Sequence, residues 1–248
     1  MLERIALISD IHGNLPAFEA TLADIERRGI TRVFCLGDLA GKGPHGDVVI
    51  DLCRERCEGV IRGNWDEGLA TPSPADPTAR WHQERLGPER LMYLGALPNT
   101  IDLLLSGQHI RLLHASSQGV WTRVFQEDPV EKLQAMFANT DFTGHASEPD
   151  IVVYGDIHEA FVRTFGRKTL LNTGSVGNPL DQPLASYAIL EGDSSESVAP
   201  VAITLVRLPY DIERAIWDAE REGMPDLEPY AIEVRTAQYQ RRGLVSQE

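Results

Sequence analysis

Five short acidic and histidine motifs, each closing an apolar run, carry the chemistry of this chain. In order they are Asp10-Ile11-His12, Gly37-Asp38, Gly63-Asn64-Trp65-Asp66, Leu113-His114 and Gly155-Asp156-Ile157-His158. Oxygen and imidazole donors from five separate strand ends can converge on one edge of a sheet. A mixed set of this kind holds two divalent metals side by side, which suits phosphate ester chemistry. Asp10 and His12 are two apart, and the period-2 geometry of a strand end predicts that both side chains point the same way. Asp38, after another strand, is placed to meet them, and its two oxygens can bridge two cations. Asn64 adds a neutral oxygen, His114 and His158 add nitrogens, and Asp156 stands two residues before His158. Taken singly each motif is weak, because an Asp-x-His or Gly-Asp after a strand is commonly a turn. Their weight comes from appearing together and in order.

The elements that must position these residues follow from hydrophobic periodicity. Residues 5–9, 33–36 and 60–61 read as short buried strands. Between them, residues 15–28 and 46–57 have apolar positions at helical spacing, the second with Val48, Val49, Leu52 and Cys53 on one face. Strand–helix–strand alternation implies a parallel sheet with right-handed crossovers. The proline-rich stretch 71–77 breaks regular structure, and residues 78–95 are expected to be helical with an interruption at Gly87-Pro88. Hairpins are expected over 101–113 and 161–172, a helix over 129–138, a strand over 151–154 and final strands over 186–190 and 202–208. A helix over 210–222 and a loose polar end close the chain. The first half is parallel α/β and the second is rich in hairpins. Two mixed β-sheets packed as a sandwich and flanked by helices accommodate both. No linker or repeat divides residues 1–248, so one domain is expected, with a core to about residue 210 and a C-terminal helix and tail beyond.

Composition narrows the class. Lys and Arg are outnumbered 23 to 37 by Asp and Glu, giving a formal charge of −14. That argues against general nucleic-acid binding or an anionic membrane surface as partner, since phosphate backbones are bound with cations. The start of the chain has no basic stretch before a long apolar segment, so no signal peptide is expected. No run approaches roughly 18 apolar residues, so no transmembrane helix is expected. Three cysteines, Cys35, Cys53 and Cys57, read as packing residues in a reducing compartment, and a cytoplasmic location is expected.

Together these motifs resemble those of the calcineurin-like metallophosphoesterases, whose pattern is D-x-H, G-D, G-N-H-D, H and G-H-x-H. The chain is most similar to the small bacterial branch that begins S-D-I-H-G-N and continues G-D-x-x-G-x-G-P, matched by residues 9–14 and 37–44. That branch also has an N-x-G-S-V-G-x-P segment, matched by residues 172–179. The resemblance spans residues 4–207 and implies a four-layer α/β/β/α fold. It implies one metal held by Asp10, His12, His158 and a bridging Asp38, and a second held by Asp38, Asn64, His114 and Asp156. A hydroxide bridging them would attack phosphorus in line with the leaving group. Asn14, Asn64 and Trp65 would contact substrate, and Trp65 and Asp66 would occupy catalytic positions. The donor set suits Mn²⁺ or Fe, with Zn²⁺, Co²⁺ and Ni²⁺ also compatible.

Two positions depart from the family pattern. Trp65 replaces the histidine thought to protonate the leaving oxygen, and an indole N–H cannot supply a proton near neutral pH. Losing a general acid typically costs about 10²–10⁴-fold in rate. The loss is smallest for a leaving group that is already stable, such as an anhydride phosphate or an activated aryl ester. Asp156 replaces the first histidine of G-H-x-H, which adds charge and a harder donor. The leading expectation is a hydrolase acting on a small phosphorylated substrate. A base stacking on Trp65 would point to nucleotides. The competing reading is a non-catalytic scaffold or sensor that binds metal and nucleotide or phosphate, and a third is a protein phosphatase. Lys42 and His45 either face substrate phosphate or are solvated loop residues. His82, His109 and His145 are expected outside the site, and residues 174–177 are expected to buttress the metal-bearing loops.

Overall fold

The computed structural model describes residues 2–72, 75–193 and 198–240. In chain order the elements are β1 (Leu2–Ile8), α1 (Leu15–Arg27), β2 (Arg32–Cys35), α2 (Gly46–Arg56), β3 (Gly59–Val60), α3 (Asn64–Ala70) and α4 (Pro77–Ala96). Then come β4 (Thr100–Leu105), β5 (Gln108–Leu113), α5 (Val130–Gln134), β6 (Ile151–Tyr154), β7 (Ala160–Phe165) and β8 (Lys168–Thr173). The chain closes with β9 (Ala185–Asp193), β10 (Ala202–Leu208), α6 (Ile212–Arg221) and α7 (Leu227–Thr236). One five-stranded sheet has the order β10-β9-β1-β2-β3, and the other has β4-β5-β6-β8-β7. β1, β2 and β3 run parallel, as do β5, β6 and β8, while the outer pairings are antiparallel.

Strand alternation builds the layers. In β1, Ile5 and Leu7 face the second sheet, where they meet Ile110, Leu112, Ile151, Val153 and Leu171. Ala6 and Ile8 face the opposite way and pack with Phe18, Leu22, Ile25, Val49, Ile50 and Cys53 of α1 and α2. In β6, Ile151 and Val153 enter the sandwich, while Val152 and Tyr154 pack outward with Leu133, Met136 and Phe137. Both sheets therefore bury two faces, and the α/β/β/α architecture follows. Filling each face with such side chains contributes about 1.5–3 kcal/mol per fully buried residue.

Three details differ from the sequence expectation. Val48 turns to solvent, and the buried face of α2 is Val49, Ile50 and Cys53. The G-N-W-D motif opens a short helix, α3, to which the periodicity assigns no element. Residues expected to be loose beyond 222 include α7, with Tyr230, Glu233 and Val234 buried, while residues 241–248 lie outside the described set. The α4 interruption falls at Gly87, whose φ of 71° breaks the helix before Pro88. The three cysteines are free, with Cys35 and Cys53 buried in the helix-side core. Among the described residues, no helix is long and apolar enough to cross a membrane.

Candidate metal centre

The motif loops leave the C-terminal ends of parallel strands. Asp10 and His12 follow β1, Asp38 follows β2, Asn64 follows β3, His114 follows β5, and Asp156 and His158 follow β6. The loop edges of the two sheets meet directly. His114 Nδ1 lies 2.7 Å from the Leu36 carbonyl, and the Asp156 amide donates to Asp10 Oδ2 at 3.1 Å. Gly155 permits this closure. A Cβ there would stand 2.0 Å from Ser9 Oγ and 2.4 Å from Asp10 Oδ2, closer than unbonded atoms approach.

Asp10 and His12 reach the site by a different route from strand alternation. Their φ angles are 55° and 53°, and Asp38, Asp156 and His158 have φ of 56°, 66° and 62°. Non-glycine residues in this left-handed region cost about 1–3 kcal/mol each and persist only where surroundings hold them. Here backbone bonds do so. The Asp10 amide donates to Gly37 O, the His12 amide to Asp38 O, and the Gly177 amide and Ser175 hydroxyl donate to Asp10 O. Residues 174–177 thus buttress the loop that carries Asp10 and His12.

The side chains converge in a buried cluster. Donor atoms of Asp10, His12 and His158 lie within 4.8 Å of one another, as do those of Asp10, Asp38 and His114. His158 Nε2 is 3.2 Å from both Asp10 Oδ1 and His12 Nε2. His12 Nε2 is 3.6 Å from Asp38 Oδ2, and His114 Nε2 is 3.5 Å from Asp38 Oδ1 and 3.9 Å from Asp156 Oδ1. Each imidazole turns Nδ1 to a backbone carbonyl, of Ala40, Leu36 or Asn178. That contact fixes the ring and aims Nε2 inward, as outer-shell partners of metal-ligating histidines do. His114 Nε2, Asn64 Oδ1 and both Asp156 oxygens are buried and make no hydrogen bond. Buried polar atoms without partners are rare, and a donor set of this kind fits a pair of divalent cations.

The electrostatics agree. Burial opposes charge on His114, but Asp38, Asp10 and Asp156 push its pKa up to about 9. Burial would raise Asp10, yet His158 and His114 beside it hold its carboxyl below the usual range. Burial, with Asp10 and Asp66 adding, pushes Asp38 well above that range. Burial likewise raises Asp156, against the pull of His114 and Arg123. So many acidic groups crowded out of water call for positive charge.

The chain matches the calcineurin-like phosphoesterase superfamily domain over residues 4–195. It belongs to that superfamily. Among curated proteins it is 31% identical over 237 residues to the uncharacterized protein MJ0912 of Methanocaldococcus jannaschii, covering 90% of this chain and 94% of that one. It is 27% identical over 207 residues to the phosphodiesterase YfcE of Escherichia coli K12, covering 79% and 91%. The crystal structure of a metallophosphoesterase from Sphaerobacter thermophilus shares the fold, with a TM-score of 0.73 at 24% identity, covering 95% of this chain and 99% of that one. Members of this superfamily are divalent metal-dependent phosphoesterases.

Against that background the expected site residues sort themselves. Asp10, His12, Asp38, His114, Asp156 and His158 are brought together, with Asp10 common to both donor groups. Asn64 and Trp65 line the adjoining cavity. Asp66 does not. Its Oδ2 accepts from the Asp38 and Gly63 amides at 2.7 and 2.9 Å, and its Oδ1 from the Leu39 amide at 3.0 Å. Its carboxylate is fully buried and turned to the backbone of the loops that carry Asp38 and Asn64. Asn14 is also occupied elsewhere: its oxygen caps α1 at Ala17, and its amide donates to Gly177 O and the Tyr210 hydroxyl. Lys42 is buried, bonded to Asn178 and Glu233, and lines the cavity. His45 faces Asp218 at 3.3 Å. His109 and His145 are exposed, whereas His82 is buried with its ring 6.5 Å from Trp65.

The cavity over the cluster has a volume of about 1030 Å³. Trp121, Arg123, Phe125 and Tyr239 line it and were not anticipated from the sequence. Their segments have no periodicity and no metal-ligand spacing. The one available signal was the density of aromatic and basic residues in Val120-Trp121-Thr122-Arg123-Val124-Phe125.

Proposed function

We propose that this chain is a metal-dependent hydrolase of phosphate esters, phosphodiesters or nucleotide anhydrides, acting in the cytoplasm on small phosphorylated substrates. One observation carries the reading: buried Asp, His and Asn donor atoms from both sheets converge, several without a hydrogen bond, beside a large cavity. Asp10, His12 and His158, with Asp38, would hold one divalent cation, and Asp38, Asn64, His114 and Asp156 a second. Two cations there, Mn²⁺ or Fe in preference to softer metals, would neutralise phosphate charge and lower the pKa of the attacking water. Asp66 holds the Asp38 and Asn64 loops in register. Arg123, at the cavity wall, presents a planar guanidinium suited to a phosphate oxygen. Trp65 supplies no proton, so the site favours leaving groups that depart as stable anions. The phosphodiesterase YfcE, to which the chain is similar, supports the reaction class.

A specific observation favours a second reading, a metal- and phosphate-binding scaffold. Arg123 Nε stands 3.4 Å from Asp156 Oδ1, so a protein cation already faces one donor of the second metal. Hydrolysis of bis-p-nitrophenyl phosphate, p-nitrophenyl phosphate and diadenosine tetraphosphate with added Mn²⁺ separates the two. Turnover abolished by Asp38→Ala supports the enzyme. Inactivity of the native chain, with activity appearing in Trp65→His, supports the scaffold.

A further inference from the structure

Large aromatic side chains are concentrated around the mouth of the cavity. Trp65, Trp121, Phe125 and Tyr239 all line it, and the last three are 62%, 42% and 59% exposed. Clustered exposed apolar surface of this kind marks a binding site. The two tryptophan rings are also held in place. Trp121 Nε1 donates to Glu67 Oε1 at 2.6 Å, and its ring lies over Gly68, 3.7 Å from where a Cβ would stand. Trp65 lies against Gly41, where a Cβ would fall 2.2 Å from the indole. Lys42 Nζ sits 5.9 Å from the Tyr239 ring centroid. Rings fixed before a ligand arrives lose little freedom on binding.

The charges restrict what the rings receive. Among the described lining residues the lysine and arginine are Lys42 and Arg123, and the carboxylates are Asp38, Asp76, Asp156 and Glu159. Lys42 is bonded to Asn178 and Glu233, and Arg123 faces Asp156. A polyphosphate chain spreads several charges along the wall and finds few partners there. One phosphate over the buried donor cluster, carrying an aromatic group, matches both the charge and the rim.

We propose that the substrate is a phosphate ester of an aromatic alcohol, with its ring held against Trp121, Phe125 and Tyr239. This rests on the phosphoesterase reading above and accounts for Trp65. In the hydrolysis a water oxygen bonds to phosphorus and the P–O bond to the aryl oxygen breaks. The electron pair stays on that oxygen, and the water's proton passes to solvent. Phenols ionise near pH 10, as tyrosine does, well below aliphatic alcohols, so a departing phenolate depends less than an alkoxide on a proton from residue 65.

Calorimetric titration of the Mn²⁺-loaded protein with phenylphosphonate and methylphosphonate, which cannot be hydrolysed, tests the recognition. The expected result is a preference of about tenfold for phenyl, cut about fivefold by Trp121→Ala or Tyr239→Ala and largely kept by Trp121→Phe. Equal affinity for the two probes, or a preference that survives both alanine variants, overturns the proposal. Turnover of phenyl phosphate, methyl phosphate and 5′-AMP is measured alongside. Faster cleavage of 5′-AMP than phenyl phosphate overturns the aryl assignment in favour of a nucleoside. Hydrolysis of phenyl and methyl phosphate at equal rates leaves the phosphoesterase reading standing and the aryl proposal refuted. Absence of hydrolysis of all three monoesters refutes the assignment of an aryl monoester substrate even with the phenyl preference intact, and the phosphoesterase reading falls with it only if bis-p-nitrophenyl phosphate and diadenosine tetraphosphate are also left uncleaved.

Discussion

Replacing Asp66 with asparagine separates a positioning residue from a catalytic one. Asp66 Oδ2 accepts two amides and Oδ1 a third, all from the loops that carry Asp38 and Asn64. An asparagine can put its oxygen in the Oδ2 position and keep two bonds, now without charge. Its NH₂ then points at the Leu39 N–H, donor against donor. A hydrogen bond to a buried charged group is worth about 1.5–3 kcal/mol and a neutral one about half that. Burial pushes the Asp66 carboxyl above its ordinary range, so losing the charge returns part of the loss. The net destabilisation is about 2 kcal/mol, which for 248 residues lowers Tm by about 4–8 °C. The loosened loops should also weaken Mn²⁺ binding by about 10–100-fold, as loss of an outer-shell partner does. Thermal melting of the metal-free protein and calorimetric Mn²⁺ titration read both effects. Under saturating metal, the pH–rate profile of Asp66→Asn should keep the native limbs. An unchanged Tm and Mn²⁺ affinity, with one limb of the profile lost, would refute the positioning role and return Asp66 to proton transfer.

Further perturbations test the frame around the site. Gly155→Ala should destabilise the fold by about 1–3 kcal/mol, the usual cost of overpacking. Adding Ser9→Ala should recover only part of it, since Asp10 Oδ2 would still lie 2.4 Å from the new Cβ; full recovery in denaturant melts would count against this. Asp24 is buried, which raises its carboxyl, but the Tyr187 hydroxyl and Arg28 bring it below the ordinary range. A depressed folded pKa stabilises above the unfolded value of about 3.9 and is lost as pH falls through the folded one. Asp24→Asn should therefore cost about 1–3 kcal/mol near neutral pH and flatten the acid limb of the stability profile. A parallel limb in urea melts from pH 7 to pH 3 would refute this. Mn²⁺ at 100 times its Kd should stabilise the fold by about 2.7 kcal/mol and EDTA should reverse it, whereas a Tm indifferent to both would argue against a metal centre.

Much of this arrangement was legible in the sequence, for physical reasons that vary by element. β1 and β6 were readable because a strand buried on both faces is continuously apolar. The donor cluster was readable because ligands must follow strand ends, and Asp, His and Gly there stand out against the apolar runs. The route to the cluster was not. Period-2 alternation gave the right direction for Asp10 and His12, but their backbone is left-handed, held by amides from distant loops that no local pattern encodes. Asp66 and Asn14 were assigned to the chemistry because they sit within motifs. Whether a side chain faces the cavity or the backbone behind it depends on tertiary contacts. α7 was missed for a similar reason: the burial of Tyr230, Glu233 and Val234 comes from packing on the rest of the fold and not from a clean apolar stripe.

The two departures from the family pattern make sense as parts of one surface. Trp65 replaces an imidazole by a larger ring, and three neighbours accommodate it. Gly41 leaves the space beneath it, while His12 and His82 meet it edge-on at centroid distances of 5.9 and 6.5 Å. Asp156 replaces a neutral donor by a charged one, and Arg123 stands against it from the same segment that carries Trp121 and Phe125. The change at residue 156, a cation that answers it and the aromatic rim thus lie on adjoining loops. The tail adds the opposite wall: Glu233 of α7 binds Lys42 and Asn178, and Asn178 O fixes His158 Nδ1. Tyr239 follows that anchor directly, so the wall that would select substrate and the loop that would hold metal are joined through one buried network.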